Sequence, residues 1–372
     1  MTTLDTPGTP FAVVDADRLD RNASRLRDHL RGLGVPLRLH VKTSKCVEVA
    51  ERVHAGGPIT VSTLAEAEHF ADAGYPDILY AVGIDPHKLP RVAALLRRGV
   101  TLTVLLDTLV QAEALTRFAR EQDLRVPALV EIDCDGHRGG VVSTDPALVE
   151  IGRVLGGNLA GVLTHAGESY FAYTPEALRQ AARNERDTAV AAATTLRDAG
   201  LPCPVVSVGS TPTAHAATDL TGVTEVRAGN YVFFDLVMAG IGVCDVDDLA
   251  LSVAVTVIGH QRDRNWVITD GGWMATSRDR GTQAQAVDQG YGLVADLRGD
   301  LIPDLVMTGA SQEHGILSTR DGRPVPELPI GTRLRILPNH ACATAAQHDR
   351  YHVVRGTAHP LVEATWSRHR GW

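Results

Sequence analysis

Short apolar runs alternate with longer stretches of helical periodicity through the first two thirds of the chain. Residues 15–33 place Leu19, Ala23, Leu26, Leu30 and Leu33 at helical spacing and stop at Gly34. Residues 37–41 then alternate apolar and polar positions, the period of a strand. The succession repeats, with strand-like runs at 59–62, 78–82, 102–106, 128–132, 159–164, 205–208 and 225–227. Helix-like stretches fall between them at 46–55, 64–73, 89–98, 109–122, 146–155 and within 175–199. Eight short apolar strands, the first six each followed by a helix, fit parallel strands joined by right-handed crossovers. Eight strands close a (β/α)8 barrel, and about 220 residues hold one. A doubly wound open sheet is the alternative.

Beyond about residue 249 the texture changes. Runs at 251–258, 266–269, 292–295, 333–336 and 351–354 are β-rich, with turn signals between them and no long amphipathic stretch. The pattern predicts a barrel domain over residues 10–240 and a mostly antiparallel β-domain over 241–372, to which Met1–Pro10 could add. With 372 residues, 44% of them hydrophobic, the chain can bury a sizeable core. A formal net charge of −8 argues against nucleic acid or an anionic membrane as partner. No secretory pattern opens the chain and no apolar run is long enough to span a bilayer. Five cysteines without a CxxC spacing fit free thiols in a reducing cytoplasm.

Ligands of such barrels gather at the C-terminal ends of the strands. The first strand end offers His40 and Lys42, which share a face because strand side chains alternate. The fifth offers Glu131 to Gly140 with Arg138, and the sixth His165 to Tyr170. The seventh and eighth end in Gly209-Ser210-Thr211-Pro212-Thr213 and Arg227-Ala228-Gly229-Asn230-Tyr231. Such turns at neighbouring strand ends can cradle a phosphate with backbone N–H groups and hydroxyls. A lysine at one strand end and a phosphate cup at two others fit pyridoxal 5'-phosphate bound through its aldehyde, with Arg227 or Arg138 against the ring.

A second cluster lies in the β-rich part. His340 and Cys342, at i and i+2 in chain expected to be extended, would point one way as two ligands of a Zn2+ or another divalent cation. Two protein ligands leave coordination positions open, as a catalytic site needs. Upstream, Gln312 and His314 belong to a polar knot in an apolar domain, a candidate for substrate contact or for support of the metal.

These stretches, taken together, resemble the D-serine dehydratase and D-threonine aldolase family of fold-type III, alanine-racemase-like pyridoxal-phosphate enzymes. The resemblance is carried by His40 to Thr43, Glu131 to Gly140, Ser207 to Thr213, Arg227 to Tyr231, Asp270 to Gly272, Gln312 to Gly315 and Pro338 to Cys342. It implies an alanine-racemase-like barrel with a β-domain, a homodimer, and Lys42 as the Schiff-base lysine. It puts the phosphate near Ser210, Thr211, Gly229 and Asn230. His165, Tyr170 and Tyr231 complete the expected cofactor surroundings. Family aldolases tend to carry Asp where this chain has Cys342, so the His-x-Cys pair resembles the zinc-dependent dehydratase branch. The implied reaction is β-elimination from a D-3-hydroxy amino acid, such as D-serine or D-threo-3-hydroxyaspartate, to a keto acid and ammonia. Lys42 would take the α-proton and the metal would draw off the hydroxyl. Retro-aldol cleavage to glycine and an aldehyde is the alternative, and a non-catalytic carrier of the cofactor a third reading. Arg278 and Arg280 could meet a second carboxylate or simply stand in a solvated loop.

Overall fold

Leu37–His40 is the first of eight parallel strands that close on themselves. It pairs with Ile59–Val61, and the ring continues through Asp77–Gly83, Thr101–Leu106, Ala128–Asp133, Leu159–Thr164, Val205–Val208 and Glu225–Ala228. The eighth strand returns to the first, with Val226 opposite Leu37. The computed structural model, which describes residues 3–356 and 361–372, therefore contains the closed barrel and not an open sheet. A two-residue strand, Val141–Val142, is added outside the ring against Ile132 and Asp133.

The alternation in the first strand does what the pattern demands. Leu37, Leu39 and Val41 are buried, while Arg38, His40 and Lys42 take the other side. Crossover helices lay apolar faces on the strands; Val47–His54, for example, buries Val49, Ala50 and Val53. Leu79, Leu105, Leu129, Ala160 and Leu163 form one cluster of the barrel.

The chain divides into two compact units, Met1–Ser24 with Asn230–Arg368, and Arg25–Gly229 with His369–Trp372. The second holds the barrel. In the first, six antiparallel strands close a smaller barrel in the order Trp266–Thr269, Gly315–Thr319, Leu301–Ala310, Gly292–Ala295, Arg333–Pro338 and Leu251–Gln261. Val253, Val255, Val257, Val267, Met307, Leu317 and Ile336 fill its core. The sheet runs on through Phe11–Asp15, Arg350–Val354 and Ala364–Ser367.

These boundaries differ from the 10–240 and 241–372 expected from texture. Phe11–Asp15 pairs with the β-domain, Phe11 opposite Ala254, so residues 11–24 leave the barrel. Residues 230–240 leave it as well, and residues 369–372 join it, His369 N donating to Lys45 O at 2.7 Å. Ladder partners far away in the sequence assign a strand, and chain order does not reveal them. Among the described residues no helix is long and apolar enough to cross a membrane.

Candidate active site

Lys42 follows its strand in a turn closed by Lys45 N donating to Val41 O at 2.7 Å. Lys45 has a left-handed backbone, φ 44°, which costs a non-glycine residue energy. Its Nζ pairs at 2.8 Å with the buried Glu66 carboxylate, which also accepts from Ser62 N. The turn that presents Lys42 is thus anchored from below.

Two imidazoles feel the Lys42 charge. Burial pushes His165 down to about 3, aided by Lys42. Its Nδ1 lies 2.8 Å from Gly209 O. A carbonyl only accepts, so Nδ1 carries the proton and Nε2 is left as an acceptor. His40 is driven well below the usual histidine range by burial and then by Lys42 and Arg227. Tyr170 stands by His165, ring centres 6.4 Å apart.

Arg227 is buried, and desolvation lowers it to about 10, against the pull of Glu185, Glu225 and Glu131. It remains a cation at neutral pH. Its Nε donates to Ser207 Oγ at 2.8 Å and its Nη2 to Thr164 O. Ser207 Oγ in turn donates to Glu225 at 2.7 Å, and Glu225 accepts from Arg38 Nε at 2.7 Å. Arg38 also donates to Asp77 at 2.8 Å. This polar column between barrel strands fixes Arg227 from behind. Arg138, the other candidate for the ring, pairs with Glu131 at 3.3 Å and is half exposed.

The seventh strand end is a six-residue helix, Thr211–Ala216, where the sequence suggested only a turn. Ser210 caps it in a capping box with Thr213. Ser210 Oγ also shares a hydrogen bond with Ser169 at 2.8 Å. Gly209 and Gly229 carry no side chain for a steric reason: a Cβ would collide with Arg227 O at the first and His40 O at the second. Thr211 Oγ1 is buried without a hydrogen-bond partner among the described residues. A buried hydroxyl left unpaired costs free energy, and a phosphate oxygen would satisfy it. The residues present fit the phosphorylated cofactor.

In the β-domain unit His340 and Cys342 are joined differently from expectation. His340 ends the extended segment, but Ala341–Ala345 is an α-helix, so Cys342 sits in its first turn. The alanine-rich stretch favours helix once Pro338 has ended the strand. The two side chains still meet, hydrogen-bonded to each other. His340 Nδ1 bonds Asp279 Oδ2 at 2.6 Å. Burial opposes charge on His340, yet the bonds to Asp279 and Cys342 and the charges of Cys342 and Asp235 raise it to about 11. A cysteine sulfur beside an imidazole whose other nitrogen is held by a carboxylate is a pair of donors of the kind a divalent metal takes. Among the described residues no group of three or more His, Cys, Asp or Glu could hold a metal.

Asn230 and Tyr231 are buried in this same unit. Asn230 Nδ2 donates to Asp235 at 2.6 Å, and Asp235 also accepts from Ala341 N at 2.8 Å. One buried carboxylate therefore ties the expected phosphate loop to the turn that carries Cys342. Gln312 and His314 are exposed in a turn closed by Ser311 N donating to His314 O at 2.8 Å. Among the described residues no hydrogen bond joins them to His340 or Cys342; they lie beside Trp273 and Met274, whose N–H groups donate to Ser311 O and Gln312 O at 2.9 and 3.0 Å.

Glu185, Asp235 and Asp279 were missed in the sequence. Glu185 accepts from Ala166 N, Gly209 N and Thr213 Oγ1 at 2.9, 3.0 and 2.6 Å, clamping two strand ends. A lone acid in a polar helix or loop has no local signal; only an acidic residue at an otherwise buried helical position, as Glu185 is, hints at a role.

Residues 14–237 match the alanine racemase N-terminal domain family and residues 250–354 the serine dehydratase domain family. The chain is 56% identical over 380 residues to D-threo-3-hydroxyaspartate dehydratase of Delftia sp. (strain HT23), covering 100% of this chain and 99% of that one. The solved structure of that protein gives a TM-score of 0.97 with 100% of both chains covered. A cysteine-to-alanine variant of a D-threo-3-hydroxyaspartate dehydratase, solved in a metal-free form, is 55% identical with a TM-score of 0.97, covering 100% of both chains. D-threonine aldolase from Filomicrobium marinum is 26% identical with a TM-score of 0.83, covering 98% of this chain and 96% of that one.

Proposed function

The chain belongs to the alanine-racemase-like, fold-type III family of pyridoxal-phosphate enzymes, and on that premise we propose that it is a lyase that dehydrates a D-3-hydroxy amino acid. D-threo-3-hydroxyaspartate is the first candidate substrate and D-serine the second. The observation that carries the reading is the His340–Cys342 pair with His340 Nδ1 held by Asp279 at 2.6 Å. Identity of 56% over the full length to a dehydratase supports it, against 26% to an aldolase.

Lys42 would hold the cofactor aldehyde, with Ser210, Thr211, Gly229 and Asn230 around its phosphate. Pyridoxal phosphate, when bound, supplies an electron sink for the Cα–H electrons. A Zn2+ or another divalent cation would be held by His340 and Cys342 and would supply Lewis-acid chemistry for the departure of a hydroxyl. Arg227, a cation fixed by Ser207 and Thr164, would keep positive charge at the ring. His165, neutral with its proton on Nδ1, presents an acceptor there. Lys42 Nζ, free as an amine once the substrate's own amine has displaced it, would take the α-proton, general-base work that its anchored turn positions it for. Asp279 keeps His340 in the tautomer and orientation of a ligand. Loss of the hydroxyl as water and hydrolysis of the resulting imino acid, which takes up water again, leave a keto acid and ammonia.

The test is product analysis on purified protein supplied with pyridoxal phosphate and Zn2+. D-threo-3-hydroxyaspartate, D-serine and D-threonine are offered, and ammonia with keto acid is assayed against glycine with aldehyde. Keto acid whose formation stops with a chelator is the expected result. Glycine would replace this reading with the aldolase, and cofactor absorbance without either product would replace it with a carrier. A homodimer fits the same reading, and light scattering at twice the chain mass tests it.

A further inference from the structure

The loop after Trp273–Thr276 is held at both ends of Arg278. Thr344 Oγ1 donates to Thr276 O at 2.5 Å and Ser277 N to Trp273 O at 2.8 Å. Asp279 N donates to Ser277 Oγ at 2.9 Å, and Asp279 Oδ2 holds His340. Ser277 itself adopts φ 91° and ψ 154°, backbone that L side chains rarely take and that persists only where its surroundings impose it. The residue between these anchors is an exposed arginine.

Its guanidinium lies over the Trp273 ring, 5.2 Å from the centroid, and has no hydrogen-bond or ion-pair partner among the described residues. The other arginines raised by the sequence are committed. Arg138 pairs with Glu131, Arg227 bonds Ser207 and Thr164, and Arg280 pairs with Asp288 at 2.7 Å while covering Tyr291. Stacking on an indole keeps a guanidinium flat and leaves its N–H edge for a carboxylate, which it grips with two parallel bonds. The platform is fixed as well, since Trp273 N donates to Ser311 O at 2.9 Å.

We infer that Arg278 receives a second carboxylate of the substrate and so sets a preference for a 3-hydroxy dicarboxylic amino acid over D-serine. This rests on the elimination proposed above and adds the class of side chain. In such a substrate the second carboxylate and the leaving hydroxyl are borne by one carbon, so their receptors must be neighbours. Arg278 is one residue from Asp279, the partner of His340.

The experiment compares wild type, Arg278→Ala and Arg278→Lys as holoenzymes with Zn2+. The ratio of kcat/KM for D-threo-3-hydroxyaspartate to that for D-serine should fall about 30-fold in Arg278→Ala, as loss of a charge-assisted bidentate contact implies. Arg278→Lys should recover only part of it, because an ammonium is a point charge without the fork. Dissociation constants of D-aspartate and D-alanine, which have no hydroxyl to lose, are read from the cofactor absorbance. D-aspartate should weaken by a similar factor relative to D-alanine. An unchanged ratio, or equal loss for both substrates and both ligands, overturns the assignment. A wild type that eliminates neither substrate overturns the parent reading instead, and the binding ratio then still decides Arg278.

Discussion

Two imidazoles, His40 and His165, are neutral because of where they sit. For His165 the folded value, about 3, lies below the roughly 6.5 of an unfolded histidine. Between those values the unfolded chain binds a proton that the native one refuses, so stability is full above about pH 6.5 and declines as pH falls toward 3. The urea midpoint should therefore drop from pH 7 to pH 5, and His165→Gln, which keeps a donor for Gly209 O, should flatten the drop. Lys42→Ala should abolish turnover and change the absorbance of added pyridoxal phosphate to that of the free aldehyde, read in one spectrum. Asp279→Asn should weaken metal binding about 10- to 100-fold in a competition titration, because the proposed ligand His340 would lose its orienting carboxylate. Lys42 was legible in the sequence since the alternation of Leu37 to Val41 sets its face. Asp279 was not, because its partner His340 is remote in the chain and an Asp between two arginines reads as a solvated loop.

Among elements, the long helix Pro175–Asp198 does more than cover the barrel. Its Glu185 carboxylate clamps the sixth and seventh strand ends, which carry His165 and Ser210. Glu185→Ala would leave two buried N–H groups unpaired and should raise the dissociation constant of pyridoxal phosphate about 10-fold, measured by fluorescence titration. The turn at Gly272 packs backbone on backbone, where a Cβ would meet Ser311 O, Gln312 O and His314 N. Gly272→Ala should accordingly cost about 1–3 kcal/mol, read as a shift of the thermal transition. The eight barrel strands were legible because each is a short apolar run with a helix or turn signal after it. The helix Ala341–Ala345 was not, since five residues are too few to show helical periodicity.

For the molecule as a whole, the chain crosses between its two units at Ser24, Gly229 and Arg368. Lys42, Arg138, His165, Tyr170, Ser210, Thr211, Arg227 and Gly229 lie in the barrel unit; Asn230, Tyr231, Gln312, His314, His340 and Cys342 lie in the β-domain unit. Asp235 bonds both Asn230 and the Ala341 N–H, so it joins the proposed cofactor loop to the proposed metal turn. Asp235→Asn should thus weaken cofactor and metal together, whereas Asp279→Asn weakens the metal alone; paired titrations distinguish the two. The sequence by itself determined the alternation of short strands and helices, the β-rich second part, the face of the lysine, the glycine-lined strand ends and the His-x-Cys spacing. Each of these is a local pattern of period, spacing or residue type. The ladder from the eighth strand back to the first decided that the strands close into a barrel. Only tertiary structure decided that Phe11–Asp15 joins the β-domain, that Cys342 stands on a helix, and that Glu185, Asp235 and Asp279 support the site. Those assignments rest on hydrogen bonds and burial between residues far apart in the chain, for which a linear sequence carries no distance.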